Sequence, residues 1–360
     1  MKLIILIILV FGCINSYSQQ TDSISLQLFI EGYASSVPNK PYTNNRSGFH
    51  YNYTKTNTAS INLAMARVHY STGRFRSNFG LMAGDYPTAN LAAEEKWARN
   101  IYEANAGFKL LKQKELWFDV GVIPSHIGSE TAIGKDNWAA TRSITADNSP
   151  YYETGARLSY QANSKWNFSI LALTGWQRIT IPVNQKWPAW GTQIMFTPSP
   201  NLTINSSTFL GNINRGTEHK TRFYSNLYSN IVLTKKASLN LGWDIGVQET
   251  DTYSTNFVWN GLIASFRYQL KPNKWSMAIR YERFIDKKNL LFTLPEDIYH
   301  EFNVHHASLN IDFQPLKNLL LRTEVNFQKS PYPIFRKGTQ LTNSQFCAFF
   351  ICSYNFQYSK

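Results

Sequence analysis

Long apolar runs, charged residues and cysteines are all scarce in this chain of 360 residues. Beyond the first dozen residues no apolar run reaches the roughly 18 residues that a membrane-crossing helix needs, which argues against a helical membrane protein. Charged residues make up only 16% of the chain, fewer than soluble globular proteins usually carry. The sequence also lacks a Walker-type loop, a Rossmann fingerprint and a cysteine–histidine zinc pattern, so nothing indicates a nucleotide, a metal or another cofactor.

Aromatic residues, in contrast, are abundant at 15% of the chain, yet the mean hydropathy is only −0.32. A sheet that faces lipid on one side and water on the other reconciles these two values, because only every second side chain must be apolar. The formal net charge is +13. It does not indicate nucleic-acid binding, because no basic cluster is interleaved with stacking aromatics.

The first 18 residues have the pattern of a cleaved signal peptide. Lys2 supplies the positive start, residues 3–11 form an apolar stretch too short to span a bilayer, and Ser16 and Ser18 are the small residues of a cleavage site. Lipid attachment at Cys13 is the alternative interpretation. We therefore expect a signal peptide over residues 1–18 and one exported domain over residues 19–360.

Period-2 alternation of apolar and polar residues recurs from about residue 24 to the C-terminus and predicts β-strands. In segments 59–71 and 275–285 the alternation loses phase, which predicts β-bulges. About sixteen segments can be counted, with a range of 14–18, and an even number is typical of bacterial transmembrane barrels. The predicted segments are 24–34, 59–71, 75–86, 102–110, 116–123, 151–161, 166–177, 190–197, 202–210, 222–234, 238–248, 257–270, 275–285, 302–313, 319–328 and 346–358.

Short and long connections alternate between these segments, and the longest are 36–57, 87–100, 124–149, 178–189, 286–300 and 329–344. This rhythm predicts an all-β, antiparallel up-and-down barrel with periplasmic termini, short periplasmic turns and long extracellular loops. Trp166 and Trp176 are ten residues apart on one predicted strand. We expect them on one face, about 24 Å apart along the barrel axis, as aromatic residues at the two membrane interfaces.

The strand alternation also predicts which charged residues face an aqueous lumen. Cations and anions are nearly balanced in this set, which consists of Arg76, Glu103, Lys109, Asp119, Glu153, Arg157, Asp244, Arg267, Arg280, Glu282, Asp312, Arg322 and Glu324. The connection 124–149 is the candidate constriction loop, because it carries Glu130, Lys135, Asp136 and Arg142 with two glycines. An extracellular loop packed outside the pore is the alternative for this connection.

Several segments in the middle third resemble the OmpL-like family of outer-membrane β-barrel porins, and the likeness extends over the mature chain. They are NIYEANAG at 100–107, PSHIG at 124–128, AIGKDNW at 132–138, NSPYYETG at 148–155 and GWQ at 175–177. The resemblance implies a Gram-negative outer-membrane barrel and, more loosely, a pore, and it supplies no catalytic or ligand-binding residue. One departure is that Phe356 and Tyr358 are followed by two further residues, whereas such barrels generally end on an aromatic residue.

Together these observations predict a porin for passive transport of ions and small hydrophilic solutes. The alternative is a non-conducting surface scaffold or adhesin barrel, which bilayer conductance would distinguish. An enzyme is not expected, because Ser125, His126 and Asp136 do not have the spacing of a catalytic triad. The expected partners are outer-membrane lipid, the transported solutes and the barrel-assembly machinery; no nucleic acid is expected, and a homotrimer is an open alternative to a monomer.

Overall fold

The computed structural model describes residues 22–41, 43–181, 188–213, 220–249, 256–292 and 301–360. The predicted signal peptide and parts of the predicted connections 178–189 and 286–300 lie outside these residues. The first eight strands are β1 (Ser23–Ser36), β2 (Ala59–Ser71), β3 (Phe75–Ala83), β4 (Ile101–Lys109), β5 (Glu115–Pro124), β6 (Tyr152–Gln161), β7 (Trp166–Leu173) and β8 (Ala189–Ser199). The others are β9 (Leu202–Asn212), β10 (Thr221–Val232), β11 (Ala237–Glu249), β12 (Asn256–Lys271), β13 (Trp275–Asp286), β14 (Phe302–Leu316), β15 (Leu319–Lys329), β16 (Phe335–Lys337), β17 (Gln340–Thr342) and β18 (Ser344–Ser359).

Sixteen of these strands, β1 to β15 and β18, form one closed antiparallel barrel in which neighbours in sequence are neighbours in space. The barrel closes where β1 pairs with β18, from Ser25 opposite Ser359 to Ser36 opposite Ala348. The predicted fold class and strand number are confirmed. Strands β16 and β17 form a separate small hairpin inside a segment that we predicted as a plain connection.

Among the residues that the structure describes, two short α-helices and two 3₁₀ turns lie between the strands. Helix α1 (Asp85–Asn90) follows β3, helix α2 (Ile144–Asp147) precedes β6, and the 3₁₀ turns are Ala98–Asn100 and Gly134–Asp136. Within the described part of the chain, every helix is too short and too polar to cross a bilayer.

Strand β13 shows why alternation in the sequence produces this wall. Ser276, Ala278 and Arg280 are buried on one face, whereas Ile279 and Tyr281 are exposed on the other. The pattern continues to Asp286, and pairing with β14 is unbroken. The bulge predicted in segment 275–285 is therefore wrong. Tyr281 and Arg283 are polar but face outward, so the alternation of apolar and polar residues breaks in the sequence while the alternation of buried and exposed residues continues.

The bulge predicted in segment 59–71 is confirmed. Glu31 of β1 pairs with Leu63 of β2, but the next residue, Gly32, pairs with Ile61. Asn62 is therefore the extra residue of β2, and its side chain is fully buried and donates a hydrogen bond to Glu31. A bulge here re-aims one polar side chain toward the barrel interior.

Large apolar side chains cover the outer surface of the barrel. Ile170, Phe79 and Leu262 are 57%, 55% and 54% exposed, and equivalent residues recur along the barrel strands. Such an extensive exposed apolar surface is unfavourable in water and matches contact with lipid.

The prediction that Trp166 and Trp176 stand at the two membrane interfaces is wrong. Strand β7 ends at Leu173, and Gly175 has a backbone angle φ of 146°, which turns the chain away from the wall. The Trp176 ring consequently packs in the barrel interior against Phe209 and Tyr224, with ring centroids 5.0 Å apart in both cases.

Both ends of the barrel chain lie at the same end of the cylinder as the short turns. Ser23 pairs with Ser71, directly before the turn 72–74, and Ser25 pairs with Ser359. We call this the short-turn end and the opposite end the long-loop end.

Candidate functional site: the barrel interior and its inward loop

The charged residues predicted to line the lumen have their side chains on the interior face of the barrel. They share this face with buried polar residues such as Asn205, Asn226 and Asn310. The set is Arg76, Glu103, Lys109, Asp119, Glu153, Arg157, Asp244, Arg267, Arg280, Glu282, Asp312, Arg322 and Glu324.

The connection between β5 and β6, residues 125–151, enters the barrel, and we call it the inward loop. Its backbone and side chains reach strands far apart around the cylinder. The Gly128 N–H donates to Asn226 of β10 at 3.1 Å, and the Ala140 N–H donates to Asn310 of β14 at 3.2 Å. On a third side, Ile133 packs in the cluster that contains Leu63 of β2. A segment can contact these walls together only from inside the cylinder.

Two carboxylates of the barrel wall bind the backbone of the inward loop. Glu324 accepts hydrogen bonds from the Thr141 N–H at 2.7 Å and from the Thr141 hydroxyl at 2.5 Å. Glu282 accepts from the Ile144 N–H at 2.8 Å, at the start of helix α2. Hydrogen bonds to charged groups are stronger than neutral ones, at about 1.5–3 kcal/mol each.

Two arginines of the wall bind the carbonyls of the same loop. Arg280 donates to the Thr141 carbonyl at 2.6 Å. Arg322 donates to the carbonyls of Gly134 at 2.7 Å, Asn137 at 2.8 Å and Trp138 at 3.1 Å, and it is paired with Asp312 at 2.7 Å. Both arginines are 1% exposed, so their charges are used to hold the loop.

The four candidate constriction residues have different environments. Arg142 is buried between the rings of Tyr86 and Tyr151, 4.8 and 4.1 Å from their centroids. Glu130 accepts from the Ser143 N–H at 2.9 Å and lies 3.5 Å from Arg280. Burial raises the pKa of Glu130, and the neighbouring Arg280 opposes that shift.

Lys135 and Asp136, the other two candidates, pair with each other at 2.5 Å. Their side chains remain 25% and 44% exposed. They are therefore the members of the four that contact open space to the greatest extent.

A second connection, between β1 and β2, also folds into the barrel with its residues 43–58, which sequence reasoning missed. Tyr53 donates to Glu31 at 2.8 Å, and Asn52 donates to Asp147 of the inward loop at 2.7 Å. The Phe49 ring packs against Phe302, with centroids 4.9 Å apart. The available signal was its own composition, since aromatic residues occupy positions 49, 51 and 53 of an otherwise polar segment.

His50, in this second connection, is a neutral residue of the interior. Burial, together with the nearby Arg46, lowers its pKa to about 3. Its Nε2 atom accepts a hydrogen bond from the Gln328 amide at 2.7 Å.

His126 anchors the start of the inward loop. Its Nδ1 atom is 2.8 Å from Glu153, and its Nε2 atom is 2.9 Å from the Thr208 carbonyl. Burial lowers the pKa of His126, but Glu153 and the Thr208 carbonyl outweigh it, and the net shift is upward. The Ser125 hydroxyl accepts from the Ile127 N–H instead. Both ring nitrogens of His126 are therefore engaged away from Ser125.

Open space remains on both sides of the inward loop. Toward the short-turn end, a cavity of about 230 Å³ is lined by Glu130, Asp136 and Trp138 together with Asn230 and Asn240. Toward the long-loop end, a cavity of about 250 Å³ is lined by residues that include Asp147, Trp176 and Arg222. The loop and its anchors thus lie between two cavities of the barrel interior.

The model of the family described as putative beta-barrel porin-2, OmpL-like, matches residues 23–356. The chain belongs to this family. The match runs from the start of β1 into β18, and it confirms the resemblance found in the sequence. A comparison with curated protein sequences gives no match.

Solved structures of other outer-membrane proteins have the same fold. The anion-selective porin from Comamonas acidovorans is 10% identical, with a TM-score of 0.62 over 93% of this chain and 100% of that one. The channel DcaP of Acinetobacter baumannii is 13% identical, with a TM-score of 0.63 over 95% and 99%. OmpT of Vibrio cholerae is 9% identical, with a TM-score of 0.58 over 95% and 100%. At such identities the likeness concerns the fold.

Family membership and the closed barrel together assign the protein to the Gram-negative outer membrane as a porin for passive transport. The family and the fold are those of a channel.

Proposed function

We propose that the inward loop forms the narrowest part of the path through this porin. Ions and small hydrophilic solutes would diffuse down their gradients past Lys135 and Asp136, and no energy source is needed. The proposal rests on the hydrogen bonds by which side chains of the barrel wall hold the backbone of the inward loop. Four buried charged side chains, from β13 and β15, hold its backbone, and they are Arg280, Glu282, Arg322 and Glu324.

A constriction must be stiff to select by size and charge, because a loose loop would admit any solute that displaces it. Hydrogen bonds from the loop to β10, β13, β14 and β15 supply this stiffness. Pore width at the loop and the charges beside it would then set selectivity.

Planar-bilayer recording of the purified, refolded protein tests the proposal. We expect stepwise single-channel currents for the natural chain and larger steps when residues 129–145 are replaced by a short glycine–serine linker. Heat-modifiable migration in detergent gels verifies that each variant is folded. If the linker variant has the same single-channel conductance and ion preference as the natural chain, the inward loop is not the constriction.

Folded protein that never conducts would support the alternative function, a surface scaffold or adhesin barrel. Lipase and protease assays of the same preparation test for an enzyme, which we do not expect. The support is that His126 binds Glu153 and the Thr208 carbonyl rather than a nucleophile.

We further propose that the short-turn end faces the periplasm and that outer-membrane lipid contacts the apolar outer surface. The barrel-assembly machinery would insert the chain.

OmpT of Vibrio cholerae has been solved in a trimer form, and a homotrimer is our working expectation here, to be checked by light scattering in detergent. Export by cleavage after Ser18 predicts a mature N-terminus at Gln19, which mass spectrometry distinguishes from lipidation at Cys13.

A further inference from the structure

Several interior arginines reach the water farther than the carboxylates with which they pair. In the pair of Arg67 and Glu103, the side chains are 32% and 3% exposed. In the pair of Arg76 and Asp119 they are 28% and 2% exposed. Nearly equal numbers of cations and carboxylates in the sequence therefore do not give equal charges at the surface that a solute meets.

Asp119 is shared by two arginines. It accepts from Arg76 at 2.7 and 2.6 Å and from Arg157 at 3.3 and 3.2 Å. This cluster, on β3, β5 and β6, carries one surplus positive charge. Gly107 of the intervening β4 makes the arrangement possible, because a Cβ atom there would lie 2.2 Å from the Asp119 carboxylate.

The same two-to-one arrangement recurs around Asp312 on another wall. Asp312 accepts from Arg322 at 2.7 Å and lies 3.9 Å from Arg267. Arg322 is buried and holds the loop, whereas the side chain of Arg267 is 34% exposed. Strands β5 and β14 are seven steps apart by the shorter way around the sixteen-strand ring, so the two clusters lie on nearly opposite walls.

The turns at the short-turn end add further positive charge. The seven connections 72–74, 110–114, 162–165, 200–201, 233–236, 272–274 and 317–318 all belong to the described residues and contain no aspartate or glutamate. They carry eight exposed cations, namely Arg74, Lys112, Lys114, Lys165, Lys235, Lys236, Lys274 and Lys317. A cavity of about 280 Å³ opens at this end, and Lys135, Arg267, Lys274 and Lys317 line it with a single carboxylate, Asp312.

Glu115 and Asp136 are exposed carboxylates near this compartment. Glu115 is 55% exposed but is paired with Lys109, and Asp136 is 44% exposed but is paired with Lys135. Each is neutralised by its own lysine. Neither cancels the surplus of the two arginine clusters.

From this geometry we propose that the short-turn half of the lumen selects small anions, such as chloride, phosphate and short carboxylates. The proposal rests on the pore function and adds the charge of the solutes that the pore prefers. Exposed guanidinium groups on two facing walls raise the local anion concentration and disfavour cations, as charged linings do in pores. We expect chloride to permeate about fivefold more readily than potassium.

Reversal potentials in a potassium chloride gradient across a planar bilayer test the proposal. The natural chain should show a chloride preference. The double variant R157Q/R267Q should bring the permeability ratio close to one, because it removes the surplus cation of both clusters. The matched control R283Q removes an arginine from the outward face of β13, and its ratio should equal that of the natural chain.

Phosphate as a second probe tests the same lining independently. Added to a conducting channel, it should lower the chloride current of the natural chain more than that of R157Q/R267Q. A conducting channel that prefers potassium, shows no preference, or keeps its ratio in R157Q/R267Q would overturn the inference and leave the pore function intact. Folded protein without any current would overturn the pore function itself, and this inference with it.

Discussion

Thr141 and Glu324 are separated by 183 residues in sequence, yet the Glu324 carboxylate accepts both the backbone N–H and the hydroxyl of Thr141. Glu324 also lies 3.7 Å from Arg280. The middle of the inward loop is thereby fixed to β15 and, through Arg280, to β13.

Replacing Glu324 by alanine should release this part of the loop. The change leaves the Thr141 N–H without its acceptor and removes one of the two carboxylates beside Arg280, the other being Glu130. Breaking a buried pair in this way costs about 3–5 kcal/mol. We expect larger and noisier single-channel steps, together with tryptic cleavage after Lys135 and Arg142. Glu95→Gln changes an exposed carboxylate and should behave like the natural chain. Equal protease resistance in both variants would contradict the assigned role of Glu324.

The anchor at His126 should weaken as the pH rises. The folded-state pKa of His126 is raised above its ordinary value of 6.5. Its ion pair with Glu153 therefore contributes fully below about pH 6.5 and is lost as the pH rises through the raised pKa. Hydrogen exchange of the amides of residues 125–128 can be followed between pH 5 and 9. After correction for the intrinsic exchange rate, which itself rises with pH, exchange should still be faster at alkaline pH because this segment opens more often. Glutamine in the variant His126→Gln does not titrate, so the variant should lack this additional pH dependence of exchange. The same pH profile in the natural chain and the variant would contradict the role of the His126–Glu153 pair.

Alanine at Gly107 should displace Asp119 from between its two arginines. The added Cβ atom would lie 2.2 Å from the Asp119 Oδ1 atom and 3.2 Å from the Phe118 carbonyl, so the carboxylate must move. We expect a loss of about 1–3 kcal/mol in unfolding free energy, measured by denaturant titration in lipid vesicles. Gly242→Ala is the control, since its nearest neighbours would be 3.8 Å away. A loss of similar size in the control would mean that any strand glycine is equally sensitive.

Arginine on the outer surface should cost stability according to depth. Leu262 lies near the middle of β12, and Leu316 lies at the short-turn end of β14; they are 54% and 59% exposed. Leu262→Arg places a cation in hydrocarbon and should cost about 2–4 kcal/mol, whereas Leu316→Arg, near the interface, should cost about 0–1 kcal/mol. Unfolding in vesicles, followed by tryptophan fluorescence, measures both. Equal costs would contradict the placement of the lipid band.

The strands could be predicted from the sequence because lipid outside and polar groups inside impose one repeating pattern. Leu319, Leu321 and Val325 alternate with Arg322 and Glu324, so odd and even positions show where the strand runs and which of its faces is interior. The predictions failed where a strand ends and where a polar residue faces outward. Strand β7 ends at Leu173, and the chain turns at Gly175, without any change in local composition. Tyr281 faces outward although its polar hydroxyl suggests an interior residue.

Contacts of the interior could not be predicted, because loops have no period and their partners are distant in sequence. The sequence marks residues 124–149 as charged and glycine-containing, but it does not show that Arg322 binds the Gly134 carbonyl 188 residues away. It also does not show that Glu103 and Asp119 are buried while their partners Arg67 and Arg76 stay partly exposed. Exposure depends on which side chain lies closer to the backbone of the wall, and that requires the neighbouring strands.

The pairing of β1 with β18 has a consequence for biosynthesis. The first strand to leave the export channel finds its second partner only when the final strand has been made, so the cylinder cannot be sealed from its N-terminal side alone. Until residues 344–359 arrive, β1 and β15 each present an unsatisfied backbone edge. Truncated chains should therefore be trapped by periplasmic chaperones and degraded, and a mutation in the last strand should reduce abundance more than an equal change in a central strand.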